Sequence, residues 1–154
     1  MGQELAGKTV LVVEDDADNA ELLSLNIEMA GAATRTVLSA RAALDLLRSW
    51  QPDVLLIDLS LPVMDGFALL GAIRAELPLR GIPAVAVTAY AYESDVRRCL
   101  DAGFAAHIAK PCEMENLIHV LTTLVPESAS APASGIAPRV TDSVDERRRT
   151  TTGR

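Results

Sequence analysis

Two kinds of hydrophobic pattern alternate along this chain. Thr9–Val13, Val54–Asp58 and Ala84–Thr88 are short, almost wholly apolar runs rich in Val, Ile and Leu. Runs of that length and composition suit strands buried on both faces. Ala33–Val37 and Ala105–Ala109 are weaker strands of the same kind. Between them the apolar positions recur at helical spacing. Asp18–Ala30 carries Leu22, Leu25, Ile27 and Met29 and stops at Gly31, a residue that readily supplies the left-handed turn after a helix. Ser39–Trp50 opens on a good N-cap and closes before Pro52. Phe67–Glu76 follows Gly66, Glu93–Ala102 ends at Gly103, and Glu113–Leu124 ends before Pro126. The order β-α repeated five times, with short crossovers, predicts an α/β domain: a doubly wound parallel sheet with helices on both faces.

The pattern fails after residue 125. Residues 126–154 hold Pro, Ser, Ala and Thr, with Ile136, Val140 and Val144 as the large apolar groups. Such a stretch buries too little surface to offset the entropy of ordering it and is expected to be a disordered tail. The predicted unit is residues 7–125, with a flexible N-terminus over residues 1–6. A length of 154 residues fits one such domain.

Charge narrows the function. The net charge is −7, and the tail's five arginines leave the body more acidic still. An acidic body lacks the clustered Lys and Arg that contact phosphates, which argues against nucleic acid as a direct partner. No apolar run approaches the ~20 residues of a membrane-spanning helix. No secretory leader pattern opens the chain. Cys99 and Cys112 are too few and too far apart for a disulfide framework or a metal cage. These features predict a cytoplasmic protein with no membrane contact.

In an open parallel sheet, ligands bind beyond the carboxyl ends of the strands. The first strand ends at Glu14, Asp15 and Asp16, the third at Asp58, the fourth at Thr88 and the fifth at Lys110 before Pro111. Four of five strands thus deliver a polar group to one rim. Polar loops explain any one of these; several carboxylates, a hydroxyl and an amine together ask for more. Carboxylates held that close repel by about 4 kcal/mol per pair at an effective dielectric of 20, so a proton or a cation must sit among them. An all-oxygen set suits a hard ion such as Mg²⁺. Mg²⁺, an amine and a hydroxyl around Asp58 would cradle a transferring phosphoryl group, with Asp58 as nucleophile.

Here the chain resembles the response-regulator receiver domains of two-component signalling. The carriers are Val-Val-Glu14-Asp15-Asp16, Asp58-Leu-Ser-Leu-Pro62-Val-Met64-Asp65-Gly66, Val87-Thr88-Ala89 and Lys110-Pro111, with separations of 30 from Asp58 to Thr88 and 22 from Thr88 to Lys110. The stretch around Ala102-Gly103-Phe104 looks most like receivers attached to hybrid histidine kinases. The resemblance implies a flavodoxin-like (βα)5 sheet of strand order 2-1-3-4-5 and a cis Lys110–Pro111 bond. It implies Asp58 as phosphoacceptor, and Glu14, Asp15, Asp58 and the Ser60 backbone carbonyl around Mg²⁺. Thr88 and Lys110 would hold the phosphoryl oxygens. Implied partners are a sensor histidine kinase or a histidine phosphotransfer protein, and an output protein. The expected product is a switch in protein contacts within a phosphorelay, not enzymatic turnover.

Some positions depart from the family pattern. His107 stands where the family usually has Tyr or Phe, beside Thr88 the second expected switch residue. Ser60 and Tyr90 would flank the path of hydrolytic water, and Cys112 replaces a common Phe. Gly2-Gln-Glu-Leu-Ala-Gly7-Lys8-Thr9 spells a phosphate-binding loop letter for letter. It lacks the preceding strand and runs into a strand rather than a helix, so it predicts no such loop. An acidic first loop would also repel a flavin or nucleotide phosphate. An aspartate-based phosphatase of the haloacid dehalogenase type needs a second Asp two residues after the nucleophile, where Ser60 stands. A module that has kept only the fold would bind partners without phosphorylation.

Overall fold

The central predicted strands form because both their faces are covered. The computed structural model describes residues 3–76, 81–89 and 93–125. Its elements are β1 (Thr9–Val13), α1 (Ala17–Met29), β2 (Ala33–Val37), α2 (Ala40–Leu47), β3 (Val54–Asp58), α3 (Gly66–Ala75), β4 (Ala84–Thr88), α4 (Glu93–Ala102), β5 (Ala106–Ala109) and α5 (Met114–Leu124). All five strands are parallel, in the order β2-β1-β3-β4-β5. The predicted tail over 126–154 lies outside the described residues.

Strand alternation splits the apolar runs into two cores. Leu11, Val13, Leu55, Ile57, Ala84 and Ala86 face α2 and α3, against Leu44, Leu47, Leu69, Leu70 and Ile73. Val10, Val12, Leu56, Val85 and Val87 face α1 and α5, against Leu23, Ile27, Leu117, Ile118 and Leu121. Strands β3 and β4 are buried at every position, whereas β2, at the sheet edge, is largely exposed. That edge placement explains its weak sequence signal.

Helix ends follow their caps. The Asp16 carboxylate accepts from the N–H groups of Asp18 and Asn19, so α1 begins at Ala17. Ser39 caps α2 through the Ala42 N–H, and Asp65 caps α3 through the Ala68 N–H. Residues 48–50 leave α2 in a turn in which the Ser49 and Trp50 N–H groups both reach the Leu46 carbonyl, so the helix stops short of Trp50.

Within the N-terminus expected to be flexible over 1–6, residues 3–6 pack against the domain, and residues 1–2 lie outside the described residues. Residues 3–7 form a turn, the Leu5 N–H donates to the Ala30 carbonyl at 2.8 Å, and the Leu5 side chain is fully buried in the α1/α5 core. One apolar side chain among polar neighbours carries no periodicity, yet it closes the lower end of that core. The phosphate-loop lookalike ends here too: Lys8 and Thr9 lead into β1, and the Thr9 N–H and hydroxyl bond the Asp53 carboxylate across the sheet.

Candidate functional site

Parallel register brings the strand ends to one rim. Asp58 pairs with Val87, and Thr88 with Ala109, so the residues that follow each pair are neighbours. Asp58 and Glu14 are buried to within 2% of full coverage and Thr88 to 4%. The Lys110 ammonium enters between the two acids, 3.0 Å from Asp58 Oδ2 and 3.3 Å from Glu14 Oε1. Asp58 Oδ1 accepts from the Ser60 N–H at 3.0 Å and from the Ser60 hydroxyl at 3.1 Å. Glu14 Oε2 accepts from the Asp16 N–H, while buried Oε1 accepts no hydrogen bond. Carboxylate oxygens of Glu14, Asp15 and Asp58 all lie within 4.8 Å of one another.

Backbone geometry fixes these positions. The Lys110–Pro111 bond is cis, and the Lys110 N–H donates to the Thr88 carbonyl. After β3 the chain turns back through Val63, which takes a positive φ of 68°, to Gly66, whose N–H donates to the Leu59 carbonyl. A Cβ on Gly66 would sit 2.8 Å from the Asp58 carbonyl oxygen and 2.8 Å from Leu59 Cα. Only a glycine lets α3 start this close to the strand that carries Asp58.

The charges settle unequally. Burial pushes the Glu14 carboxyl up to about 7, and the Asp58 carboxyl beside it adds to the rise. Burial also acts on Asp58, but hydrogen bonds from Ser60, Glu14 and Lys110 outweigh it and hold that carboxyl below its ordinary value. Burial alone would lower the Lys110 ammonium; the Asp58 and Glu14 carboxylates raise it instead. Metal-free, the site is thus a protonatable Glu14 next to an ionised Asp58 paired with a cationic Lys110.

This arrangement matches a known family. A profile of the response regulator receiver domain matches residues 10–122. The chain is a response regulator receiver domain. It is 41% identical over 120 residues to a 14.6 kDa protein of Leptolyngbya boryana, an alignment spanning 77% of this chain and 91% of that protein. It is 36% identical over 114 residues to the polar-differentiation response regulator DivK of Brucella ovis, covering 74% of this chain and 93% of DivK. Among solved structures it resembles the receiver domain of the Pseudomonas aeruginosa sensor histidine kinase PA1611, with 31% identity and a TM-score of 0.72 over 78% of this chain and 98% of that one. That structure holds a magnesium ion in its active-site cleft.

In this receiver the sequence-predicted residues Glu14, Asp15, Asp58, Ser60, Thr88 and Lys110 gather at one rim. Asp16 does not join them, because its carboxylate is spent on the α1 cap. His107 is half-buried on β5 in register with Ala86. Tyr90 lies outside the described residues. Cys112 is half-buried, and burial pushes its thiol upward, away from thiolate chemistry. Two contacts carried no local sequence signal: the Lys110–Glu14 ion pair, and Arg98 stacked on Phe67 with its guanidinium carbon 4.1 Å from the ring centroid. Among the described residues no helix is long and apolar enough to cross a membrane.

Proposed function

We propose that the receiver accepts a phosphoryl group on Asp58 from a phosphohistidine of a sensor histidine kinase or histidine phosphotransfer protein. Phosphorylation would switch its contacts with an output protein in the cytoplasm. The observation that carries this reading is Asp58 itself: a buried, ionised carboxylate with Lys110 3.0 Å away on one oxygen and Ser60 on the other. Asp58 attacks phosphorus as its oxygen–phosphorus bond forms and the bond to the donor nitrogen breaks. Lys110 and the Thr88 hydroxyl meet the charge on the phosphoryl oxygens. Thr88 and His107 are the residues through which the new charge would reach the face of α4, β5 and α5.

The donor set fits Mg²⁺. It is all oxygen, its members lie within 4.8 Å, and Glu14 Oε1 is a buried acceptor without a hydrogen bond. Glu14, Asp15, Asp58 and the Ser60 backbone carbonyl would hold the ion. Bound there, it neutralises negative charge on the transferring group. Because Glu14 holds its proton up to about pH 7 without metal, proton and Mg²⁺ compete for one site. Apparent Mg²⁺ affinity should therefore fall about tenfold per pH unit below that value and level off above it. Calorimetric titration across pH reads this directly; a flat profile would mean that Glu14 is ionised throughout.

The test of function is intact mass after incubation with Mg²⁺ and an acyl phosphate. One phosphoryl increment is expected on the parent, and none on Asp58→Ala or in EDTA. No increment on the parent under any condition would favour a module that binds partners constitutively.

A further inference from the structure

A recess opens where the chain leaves β3, just after Asp58. It has a volume of about 180 Å³ and is lined by Leu59, Ser60, Asp65, Phe67, Thr88, Asp95 and Arg98. Its floor belongs to the phosphoacceptor site, since Ser60 bonds Asp58 directly and Thr88 ends the neighbouring strand. Arg98 is held over the Phe67 ring, and Phe67 is braced edge-on against Phe104 at 6.0 Å. Among the described residues the Arg98 guanidinium has no hydrogen bond or ion pair, so its planar donors remain available to a ligand. The recess also holds two carboxylates, Asp65, which spends one oxygen on the α3 cap, and Asp95, one turn before Arg98 on α4, so Arg98 is the one cation among its described lining residues.

A guanidinium stacked on a ring, in a recess that shares Ser60 with the phosphoacceptor site, suits a planar anion released next to Asp58. Resting on the phosphoacceptor reading above, we propose that this recess receives the leaving carboxylate of an acyl phosphate, and that Arg98 selects such donors. In that reaction the bond from an Asp58 oxygen to phosphorus forms as the phosphorus–oxygen bond to the acyl group breaks. The electron pair stays with the acyl oxygen, and the group departs as a carboxylate that needs no proton. Its charge develops as Lys110 is engaged with Asp58, so the pairing falls to Arg98. A phosphoramidate donor makes the contrast. Its protonated nitrogen leaves as neutral ammonia and gives a guanidinium nothing to pair with.

The experiment compares labelling rates of the full chain with acetyl phosphate and with phosphoramidate, in Mg²⁺, for the parent, Arg98→Ala, Arg98→Lys, Asp95→Asn and Arg97→Ala. Arg98→Ala should raise the KM for acetyl phosphate about tenfold, the loss of one charge-assisted contact, with phosphoramidate labelling unchanged. Arg98→Lys should recover part of the loss, and Asp95→Asn should speed acetyl phosphate labelling. Arg97→Ala removes the same charge from the adjacent position and should match the parent. Equal slowing with both donors, no slowing with either, or an Arg97→Ala effect as large as that of Arg98→Ala would overturn the assignment. Failure of both donors to label the parent would instead overturn the phosphoacceptor reading.

Discussion

Gly66→Ala should both destabilise the domain and disable the site, although it adds a single methyl group. The new Cβ would lie 2.8 Å from the Asp58 carbonyl oxygen, 2.8 Å from Leu59 Cα and 3.1 Å from an Ile57 methyl. The two closest neighbours are backbone, and the sheet restrains them: the Leu59 N–H donates to the Val87 carbonyl at 3.0 Å, and Asp58 is in register with Val87. Relief requires α3 to lift from β3 or the end of β3 to bend. Overpacking of this kind costs about 3 kcal/mol. Either movement displaces Asp58 from Lys110, so phosphorylation should fall along with stability. Gly71→Ala is the matched control. It lies within α3 with nothing within 4 Å of its would-be Cβ, so the higher helix propensity of Ala should stabilise by about 0.5–1 kcal/mol. Denaturant unfolding of the two variants should give opposite signs. A Gly66→Ala protein as stable as Gly71→Ala would show that the strand end is soft.

The contrast bears on how much could be read from the chain. The strands were legible because burial on both faces forces continuous apolar runs, and Leu55, Leu56 and Ile57 serve the two cores alternately. The rim was legible because those runs must stop at polar residues where ligands bind. What the pattern could not divide was the work among adjacent acids. Glu14, Asp15 and Asp16 are consecutive, yet one is buried against Lys110, one is exposed near Asp58, and one caps a helix. That division depends on where strand alternation ends and helix geometry begins. Leu5 was missed for a related reason: its burial depends on a turn under α1 and not on any repeat. The Arg98–Phe67 stack joins α4 to α3, a tertiary contact that neither helix signals by itself.

Lys110→Met should separate the two demands that the site makes of its cation. The substitution keeps the stem and removes the charge that lies 3.0 Å from Asp58 and 3.3 Å from Glu14. Two buried carboxylates then face each other without a counter-ion. The Lys110 hydrogen bond and charge that help hold Asp58 down are gone. So is the charge that partly opposes the rise at Glu14, where burial is the chief cause. Both carboxyls therefore move up. A carboxyl raised in the folded state favours folding while protonated, and that contribution is lost as pH rises through the folded value. The metal-free variant should accordingly lose more stability relative to parent at about pH 8 than at about pH 6. Mg²⁺ should reverse the deficit, because a divalent ion no longer competes with an ammonium for the same oxygens. Its affinity should rise at least tenfold, because removing one positive charge a few ångströms from a divalent ion is worth about 2 kcal/mol even at the dielectric of bulk water. Phosphorylation should nevertheless slow by about a hundredfold, since Mg²⁺ cannot occupy the place from which Lys110 meets the developing charge. Tighter metal binding with slower phosphoryl transfer is the signature to look for. Parallel changes in both, or a labelling rate equal to the parent's, would mean that Lys110 serves the fold and not the transferring group.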